Sequence, residues 1–175
     1  IVQFILEHGY GCEVETTRGS TTPIMAAHYD SQLDVVTELW YDNIVTQYDA
    51  VEAAGTIRNI GINTPDSQQA FYVDRNTAEK YNIKSVLDMN NPEIAALFTD
   101  PENPGMGRMV SCIGGWTCYT INHVKQRVYG LDKFYTNFDP GSSGALAAEI
   151  AGAFAKDRPI FTYYWAPTAL MGKVD

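Results

Sequence analysis

Residues 108–138 read RMVSCIGGWTCYTINHVKQRVYGLDKFYTNF. The pattern predicts a strand over residues 108–113, a turn at Gly114-Gly115, a helix over residues 116–129 that Gly130 ends, and a second strand over residues 134–138. Strands that alternate with helices in this way are typical of α/β proteins with mostly parallel sheets. We therefore predict that the fold class is α/β.

The alternation continues on both sides of this stretch. Downstream, we predict an Ala-rich helix over residues 143–156 and a strand over residues 159–165. Upstream, we predict a strand over residues 69–73, a short helix opened by the capping-box pattern Asn76-Thr77-Ala78-Glu79, and two more short helices over residues 85–89 and 92–98. The acidic loop over residues 100–107 lacks the regular ligand spacing of calcium loops, so a solvated loop is the better interpretation.

The first 65 residues show weaker signals. A helix is predicted to end at Gly9, and a second helix to begin with Thr22 as its N-cap and Pro23 at its first position. Short strands are predicted over residues 12–16 and within residues 33–40, followed by a helix over residues 44–54. A polar turn at residues 61–67 separates this part from the next. We therefore predict two lobes with a boundary near residues 64–68.

The composition limits the classes of partner. The chain has 175 residues, of which 45% are apolar and 19% charged, so it can bury a core. Its formal net charge of −9 argues against nucleic acid and against membrane surfaces as partners, because both bind basic surfaces. No stretch approaches the roughly 18–20 apolar residues of a membrane span.

Three cysteines leave two interpretations open. Cys112 and Cys118 lie six positions apart, and Cys12 is far from both. This spacing is not a usual zinc pattern, so no metal site is predicted. The pair forms either a small disulfide loop or two buried thiols, and Cys12 is left over in both cases.

Three tryptophans are the most informative feature. Trp40 and Trp165 each end a predicted strand, and Trp116 opens a predicted helix. In open α/β sheets ligands bind beyond the carboxyl ends of the strands, where three indoles would form an aromatic box for a quaternary ammonium. The alternative is that all three belong to the core. The backbone N–H groups of Thr117 and Cys118, in the first turn of the helix, would attract a carboxylate.

Signals for catalysis are weak. The three histidines show no fixed relation to a nucleophile, and Gly141-Ser142-Ser143-Gly144 is neither a nucleophile elbow nor a P-loop. This motif is better explained as the N-cap region of the following helix. We expect no enzyme activity and no cofactor.

Several motifs resemble one family. Residues 111–123, SCIGGWTCYTINH, are similar to the C-x-x-G-W-x-C…I-N-H segment of the glycine betaine/proline betaine-binding proteins of ABC importers. Residues 158–167, RPIFTYYWAP, look like that family's K-P-V-F-Y-Y-T-W-T-P segment. Residues 77–81 and 91–98 resemble its T-A-x-K-Y and D-P-x-I-A-x-L-F stretches. The match runs over nearly the whole chain.

The resemblance implies a two-lobed periplasmic-binding-protein type II fold, with lobe one incomplete in this segment. It implies a small zwitterionic quaternary-ammonium ligand in a box of Trp40, Trp116 and Trp165, with its carboxylate on the N–H groups of Thr117 and Cys118. It also implies a Cys112–Cys118 disulfide, a periplasmic or other extracytoplasmic location, and a membrane permease as partner. A family histidine is replaced here by Ile44, and Tyr41-Asp42 follows the first tryptophan where the family has an apolar residue and a proline.

The remaining expectations concern domains and alternatives. We expect residues 1–65 to be a partial lobe one, 66–165 lobe two, and 166–175 the start of the return to lobe one, in a segment of a longer protein. Unpaired sheet edges and exposed apolar surface in lobe one would favour self-association.

The alternatives to a betaine receptor are a ligand-sensing domain of the same fold in a regulatory protein, an enzyme acting on a quaternary amine, or a receptor for choline, carnitine or a sulfonium analogue.

Overall fold

The computed structural model describes residues 1–174. The chain separates into two compact units, Ile1–Pro65 and Asp66–Asp175. Unit 1 and unit 2 are used below for these two ranges. Each unit has its own apolar core.

Unit 1 is helical throughout its regular structure. Its elements are α1 (Val2–Tyr10), α2 (Thr21–Tyr29), a 3-10 turn (Tyr41–Asn43) and α3 (Val45–Ala53). The small core consists of four buried side chains, Met25, Ile44, Tyr48 and Ile57. The predicted boundaries of α1 and α2 were wrong by two residues. Gly11, not Gly9, adopts the left-handed conformation that ends α1, and Ser20, not Thr22, occupies the N-cap of α2.

The two strands predicted in unit 1 are absent. Residues 12–16 and 33–40 have no strand structure. The apolar side chains of Val36 and Leu39 pack instead against the helical core of unit 1. Because the described part of unit 1 offers no partner strand, no ladder of hydrogen bonds can form there. The expectation of unpaired sheet edges in lobe one is wrong for the same reason.

Unit 2 is built on a four-stranded sheet. Its strands are β1 (Gln68–Val73), β2 (Gly107–Val110), β3 (Tyr135–Phe138) and β4 (Phe161–Ala166), in the order β1-β4-β2-β3. Strand β2 pairs in parallel with both β3 and β4, whereas β1 pairs antiparallel with β4. The predicted α/β class with a mostly parallel sheet is therefore confirmed, with one antiparallel edge strand.

The described part of unit 2 also contains four α-helices and two 3-10 helices. The α-helices are α4 (Arg75–Lys80), α5 (Pro92–Ala95), α6 (Thr117–Val128) and α7 (Ser143–Phe154), and the 3-10 helices are Ala96–Phe98 and Leu131–Lys133. Helices α6 and α7 follow β2 and β3 as expected. Asp74, not Asn76, caps α4, since its side chain accepts the Thr77 N–H. The helix predicted over residues 85–89 is a turn, because the Asp88 carboxylate accepts the N–H groups of Lys84 and Ser85 and closes it.

The sheet of unit 2 is covered on both faces. Alternate residues of a strand point to opposite faces, and the neighbours Met109 and Val110 on β2 belong to different apolar clusters. One cluster contains Val110, the Cys112–Cys118 pair and the buried face of α7. The other contains Met109 and the segment around α5. This packing holds the strand ends that carry the candidate site.

Candidate functional site

The candidate site lies at one edge of the sheet in unit 2. Strands β2, β3 and β4 run in parallel, so their carboxyl ends meet at the same edge. The turn at residues 111–116 follows β2, the loop at residues 139–142 follows β3, and Pro167 follows β4. Loops in this position are where open α/β sheets bind ligands.

Two tryptophans contact each other at this edge. Trp116 is the N-cap of α6, and Trp165 is the fifth residue of β4. Their ring centroids lie 5.3 Å apart, with an angle of 71° between the ring planes. Trp165 also stacks on Tyr164, at 4.4 Å between centroids. Both indoles are partly exposed, so the pair forms two nearly perpendicular aromatic walls that a ligand can reach.

The chemistry of such a pair is specific. The faces of indole rings carry negative potential and attract a cation that has no N–H to donate, such as a quaternary ammonium. Each contact contributes about 0.5–2 kcal/mol, depending on how well water is excluded.

The turn before Trp116 is closed by a disulfide. Cys112 and Cys118 are bonded, with their Cα atoms 5.8 Å apart, and both residues are buried. This confirms the predicted disulfide. Cys12 is free and exposed, as expected. The covalent bond joins the end of the β2 segment to the first turn of α6 and so limits how far Trp116 can move.

Helix α6 presents a polar end beside Trp116. The first N–H groups of a helix have no partner within it, and they carry partial positive charge. Among residues 1–174, no side chain caps α6, and no hydrogen bond uses the N–H groups of Thr117 or Cys118. The helix N-terminus is therefore available to a carboxylate close to the indole of Trp116.

One carboxylate at this edge was not singled out from the sequence. Asp139, just after β3, accepts hydrogen bonds from the backbone N–H groups of Gly114 (2.9 Å) and Gly141 (2.8 Å). An aspartate directly after a predicted parallel strand could have been noted as a candidate. Its partner Gly114 lies 25 residues away, however, and no local pattern indicates that contact.

Trp40 lies in the other compact unit. It precedes the 3-10 turn Tyr41–Asn43 and does not end a strand, contrary to the sequence prediction. Its indole is partly exposed, and Nε1 donates to the Glu38 carboxylate at 3.4 Å. The structure thus brings together Trp116, Trp165 and the start of α6. That Trp40 joins them stays a prediction.

Ile44 is a core residue of unit 1. Its side chain is 8% exposed and packs with Met25, Tyr48 and Ile57. The position at which the family resemblance places a ligand-binding histidine is therefore occupied by a buried aliphatic side chain, which offers no hydrogen bond to a carboxylate.

The other candidate groups have local structural roles. The rings of His28 and His123 hydrogen-bond to the nearby carbonyls of Leu33 and Tyr119. Ser142 caps α7 by accepting the Ala145 N–H, as predicted for this motif. The part of the chain that the structure describes contains no group of three or more metal-ligating side chains. None of its helices has the length and apolarity needed to cross a bilayer.

A mixed α/β unit with two indoles and a free helix N-terminus at the carboxyl edge of its sheet has the organisation of a small-molecule-binding lobe. Residues 1–175 match the model of the OpuAC family, described as the substrate binding domain of the ABC-type glycine betaine transport system, and the chain belongs to this family. That description is of a binding domain, not of an enzyme.

Two curated relatives are glycine betaine/proline betaine-binding periplasmic proteins. The one from Escherichia coli (strain K12) is 30% identical over 120 residues, which are 66% of this chain and 36% of that protein. The one from Salmonella typhimurium is 28% identical over 107 residues, which are 61% of this chain and 32% of that protein. The chain thus matches about a third of the length of these relatives.

Two solved structures share the fold. One is the glycine betaine, L-proline-binding protein of an ABC transporter from Borrelia burgdorferi, with a TM-score of 0.75 and 17% identity over 99% of this chain and 60% of that chain. The other is lactococcal OpuAC in its closed form with glycine betaine, with a TM-score of 0.74 and 17% identity over 99% of this chain and 61% of that chain. The predicted type II binding-protein fold is confirmed.

Proposed function

We propose that the protein is the extracytoplasmic receptor of an ABC importer for a small quaternary-ammonium zwitterion, such as glycine betaine or proline betaine. The observation that carries this proposal is the Trp116–Trp165 pair, 5.3 Å between centroids, directly beside the open N-terminus of α6. A betaine has a cation and a carboxylate a few ångströms apart, and the two features match these two ends.

The cation binds to ring faces. Trp116 and Trp165 supply two walls, and Trp40 supplies the third wall in the ligand-bound protein. The hydrogen bond from Trp40 to Glu38 supports this role for Trp40, since it keeps a carboxylate beside the indole and adds negative potential that favours a cation. A neutral ligand of the same shape would gain nothing from that potential.

The carboxylate binds to backbone N–H groups. Thr117 and Cys118 hold it at the N-terminus of α6, where the helix dipole adds to the attraction. Because the side chain of Ile44 is aliphatic, and is buried in the core of unit 1, it cannot supply the hydrogen bond of the family's histidine. A larger share of the anion's binding energy therefore falls on Thr117 and Cys118.

The lobes and the partner follow from the same proposal. We assign residues 1–65 to part of lobe one, 66–165 to lobe two and 166–175 to the start of the return towards lobe one. The division of the chain after Pro65 supports the first boundary.

The protein delivers its ligand to the membrane permease of the importer, in the periplasm or an equivalent extracytoplasmic space. The names of the Escherichia coli and Salmonella relatives support this location.

Calorimetric titration of the full-length protein with glycine betaine, proline betaine, carnitine and choline tests the ligand class. We expect glycine betaine to bind at least about tenfold more tightly than choline, which keeps the cation but lacks the carboxylate. Equal affinities would show that the N-terminus of α6 is not an anion site and would favour a choline receptor. No binding by any of the four compounds would reject the proposal.

We also propose that the 175-residue segment alone self-associates through unit 1. Support comes from the large apolar side chains that unit 1 leaves exposed, including Phe4 (65% exposed), Ile60 (86%) and Ile62 (83%). Exposed large apolar side chains favour contact with a second copy, because the contact removes them from water. Light scattering of the segment should give a mass above 19.4 kDa that rises with concentration. A constant monomeric mass would contradict this proposal.

A further inference from the structure

The carboxylate of Asp139 joins two loops at the carboxyl edge of the sheet. Oδ2 accepts the N–H of Gly114 at 2.9 Å, in the turn after β2, and Oδ1 accepts the N–H of Gly141 at 2.8 Å, in the loop after β3. The neighbouring strands are already paired up to this point, and the Ser111 N–H extends the pairing by donating to the Phe138 carbonyl. Asp139 therefore links the loop after β3 to the turn after β2, beyond the last paired residues of the two strands.

Both positions of the turn that Asp139 holds favour glycine. A Cβ atom at Gly114 would lie 3.0 Å from Oδ2 of Asp139, which is closer than nine in ten observed Cβ contacts, so the carboxylate would have to shift. Gly115 has a φ of +87°, in the left-handed region that other residues rarely adopt. Trp116 follows at once, and its N–H donates to the Ile113 carbonyl at 3.2 Å. The geometry of this turn thus sets the position of the Trp116 backbone.

The disulfide restrains the ends of the same segment but not its middle. Cys112 and Cys118 are buried and bonded, whereas Gly114 and Gly115 between them are exposed. A covalent bond across seven residues leaves the exposed glycines many conformations, because they have no side chains to pack. The hydrogen bond from Gly114 to Asp139 removes much of this freedom.

We propose that Asp139 is a positioning residue that holds the Gly114-Gly115 turn, so that the Trp116 indole and the N–H groups of Thr117 and Cys118 are already placed for the ligand. This inference rests on the proposed function of the site. Asp139 acts through the turn, and both of its oxygens bond to backbone N–H groups. A site that is placed before binding loses less conformational entropy when the ligand enters, and this raises affinity.

Two measurements on the full-length protein test the inference, using Asp139→Ala, Asp139→Asn and the control Asp132→Ala. Asp132 is an exposed carboxylate in the 3-10 turn Leu131–Lys133. Hydrogen exchange without ligand reports on the turn, and titration with glycine betaine reports on binding. In Asp139→Ala we expect faster exchange confined to residues 113–117 and to Gly141, which loses the same acceptor, unchanged exchange in β2, β3 and β4, and about tenfold weaker binding.

Asp139→Asn should have a smaller effect on exchange and binding than Asp139→Ala. Its amide oxygen can still accept one N–H, so it should fall between Asp139→Ala and the unaltered protein, while Asp132→Ala should match the unaltered protein. Unchanged binding in Asp139→Ala, or faster exchange throughout the sheet, would overturn the inference. If the unaltered protein binds none of glycine betaine, proline betaine, carnitine and choline, the proposed function fails. The exchange comparison then decides separately whether Asp139 holds the turn, and equal exchange at residues 113–117 would reject that too.

Discussion

Replacing Trp116 or Trp165 by leucine is expected to weaken glycine betaine binding by at least about tenfold in each case. Leucine keeps much of the apolar contact but removes the ring face, whose attraction for a desolvated cation is about 1–2 kcal/mol. The two rings contact each other at 5.3 Å, so the loss of one also removes the support of the other. Calorimetric titration of the full-length variants measures the effect.

The control for these variants is another partly exposed aromatic residue of unit 2. Tyr81, which ends α4, is 40% exposed and takes no part in the candidate site. Tyr81→Leu should bind glycine betaine as the unaltered protein does. Thermal unfolding of each variant checks that the fold is intact, because Trp165 also packs on Tyr164. A loss of less than about threefold in both tryptophan variants would contradict the role of the indoles in binding.

The second large effect concerns stability and involves Asp100. Its carboxylate is 2% exposed and binds Arg108 at 2.6 Å. It also accepts hydrogen bonds from the Thr136 hydroxyl, the Asn103 amide and the Glu102 N–H. The guanidinium of Arg108 lies over the Phe138 ring at 4.1 Å. Asp100 thus fixes the loop before β2 to strands β2 and β3.

Asp100→Ala should lower the free energy of unfolding of unit 2 by about 3 kcal/mol, because it leaves the largely buried Arg108 without its main partner. Glu102→Ala is the matched control. Glu102 also pairs with Arg108, at 3.2 Å, but is 69% exposed, so its loss should cost less than about 1 kcal/mol. Urea unfolding followed by circular dichroism measures both values. Equal losses in the two variants would show that burial of Asp100 has no special effect.

The lowered pKa of Asp100 predicts that the stability of unit 2 depends on pH. Burial alone would raise the pKa of Asp100, but the hydrogen bonds from Thr136, Asn103, Glu102 and Arg108 outweigh it and hold the pKa well below the usual range. A lowered folded pKa means that the stabilisation is complete above the unfolded value of about 3.9 and is lost as the pH falls below it. The stability difference between the unaltered protein and Asp100→Asn should therefore shrink between about pH 4 and pH 2.

Much of unit 2 could be predicted because its signals are local. The Gly130 stop, the Ser142 cap and the strands around α6 and α7 depend on neighbouring residues, and the structure has them within three residues of the predicted positions. The turn at Gly114-Gly115 and the order of β2, α6 and β3 along the chain were predicted from the same pattern. The disulfide followed from the family resemblance, since spacing alone left free thiols as an alternative.

The rest depends on contacts that are distant in sequence. The apolar residues of 33–40 suit a strand, but they pack on helices here because unit 1 offers no strand to pair with. Asp74 and Asn76 are both favoured N-cap residues, and the structure shows that Asp74 caps α4 by accepting the Thr77 N–H, while its second oxygen accepts the Ile160 N–H, 86 residues away. Asp139 was not predicted as part of the site, because its partner Gly114 lies 25 residues away in the sequence. The three tryptophans stand out in the sequence and in the family resemblance, but the hydrogen bond from Gly114 to Asp139, in the turn before Trp116, is seen only in the structure.

The proposed function requires that the tryptophans bind a positive charge and not merely an apolar shape. The most direct test is to titrate the full-length protein with glycine betaine and with its carbon isostere, in which a quaternary carbon replaces the nitrogen. The two compounds have nearly the same shape and the same carboxylate. If cation–π attraction acts through several rings, the isostere should bind at least about a hundredfold more weakly. Equal affinities would mean that the indoles form only a hydrophobic pocket and would contradict the mechanism.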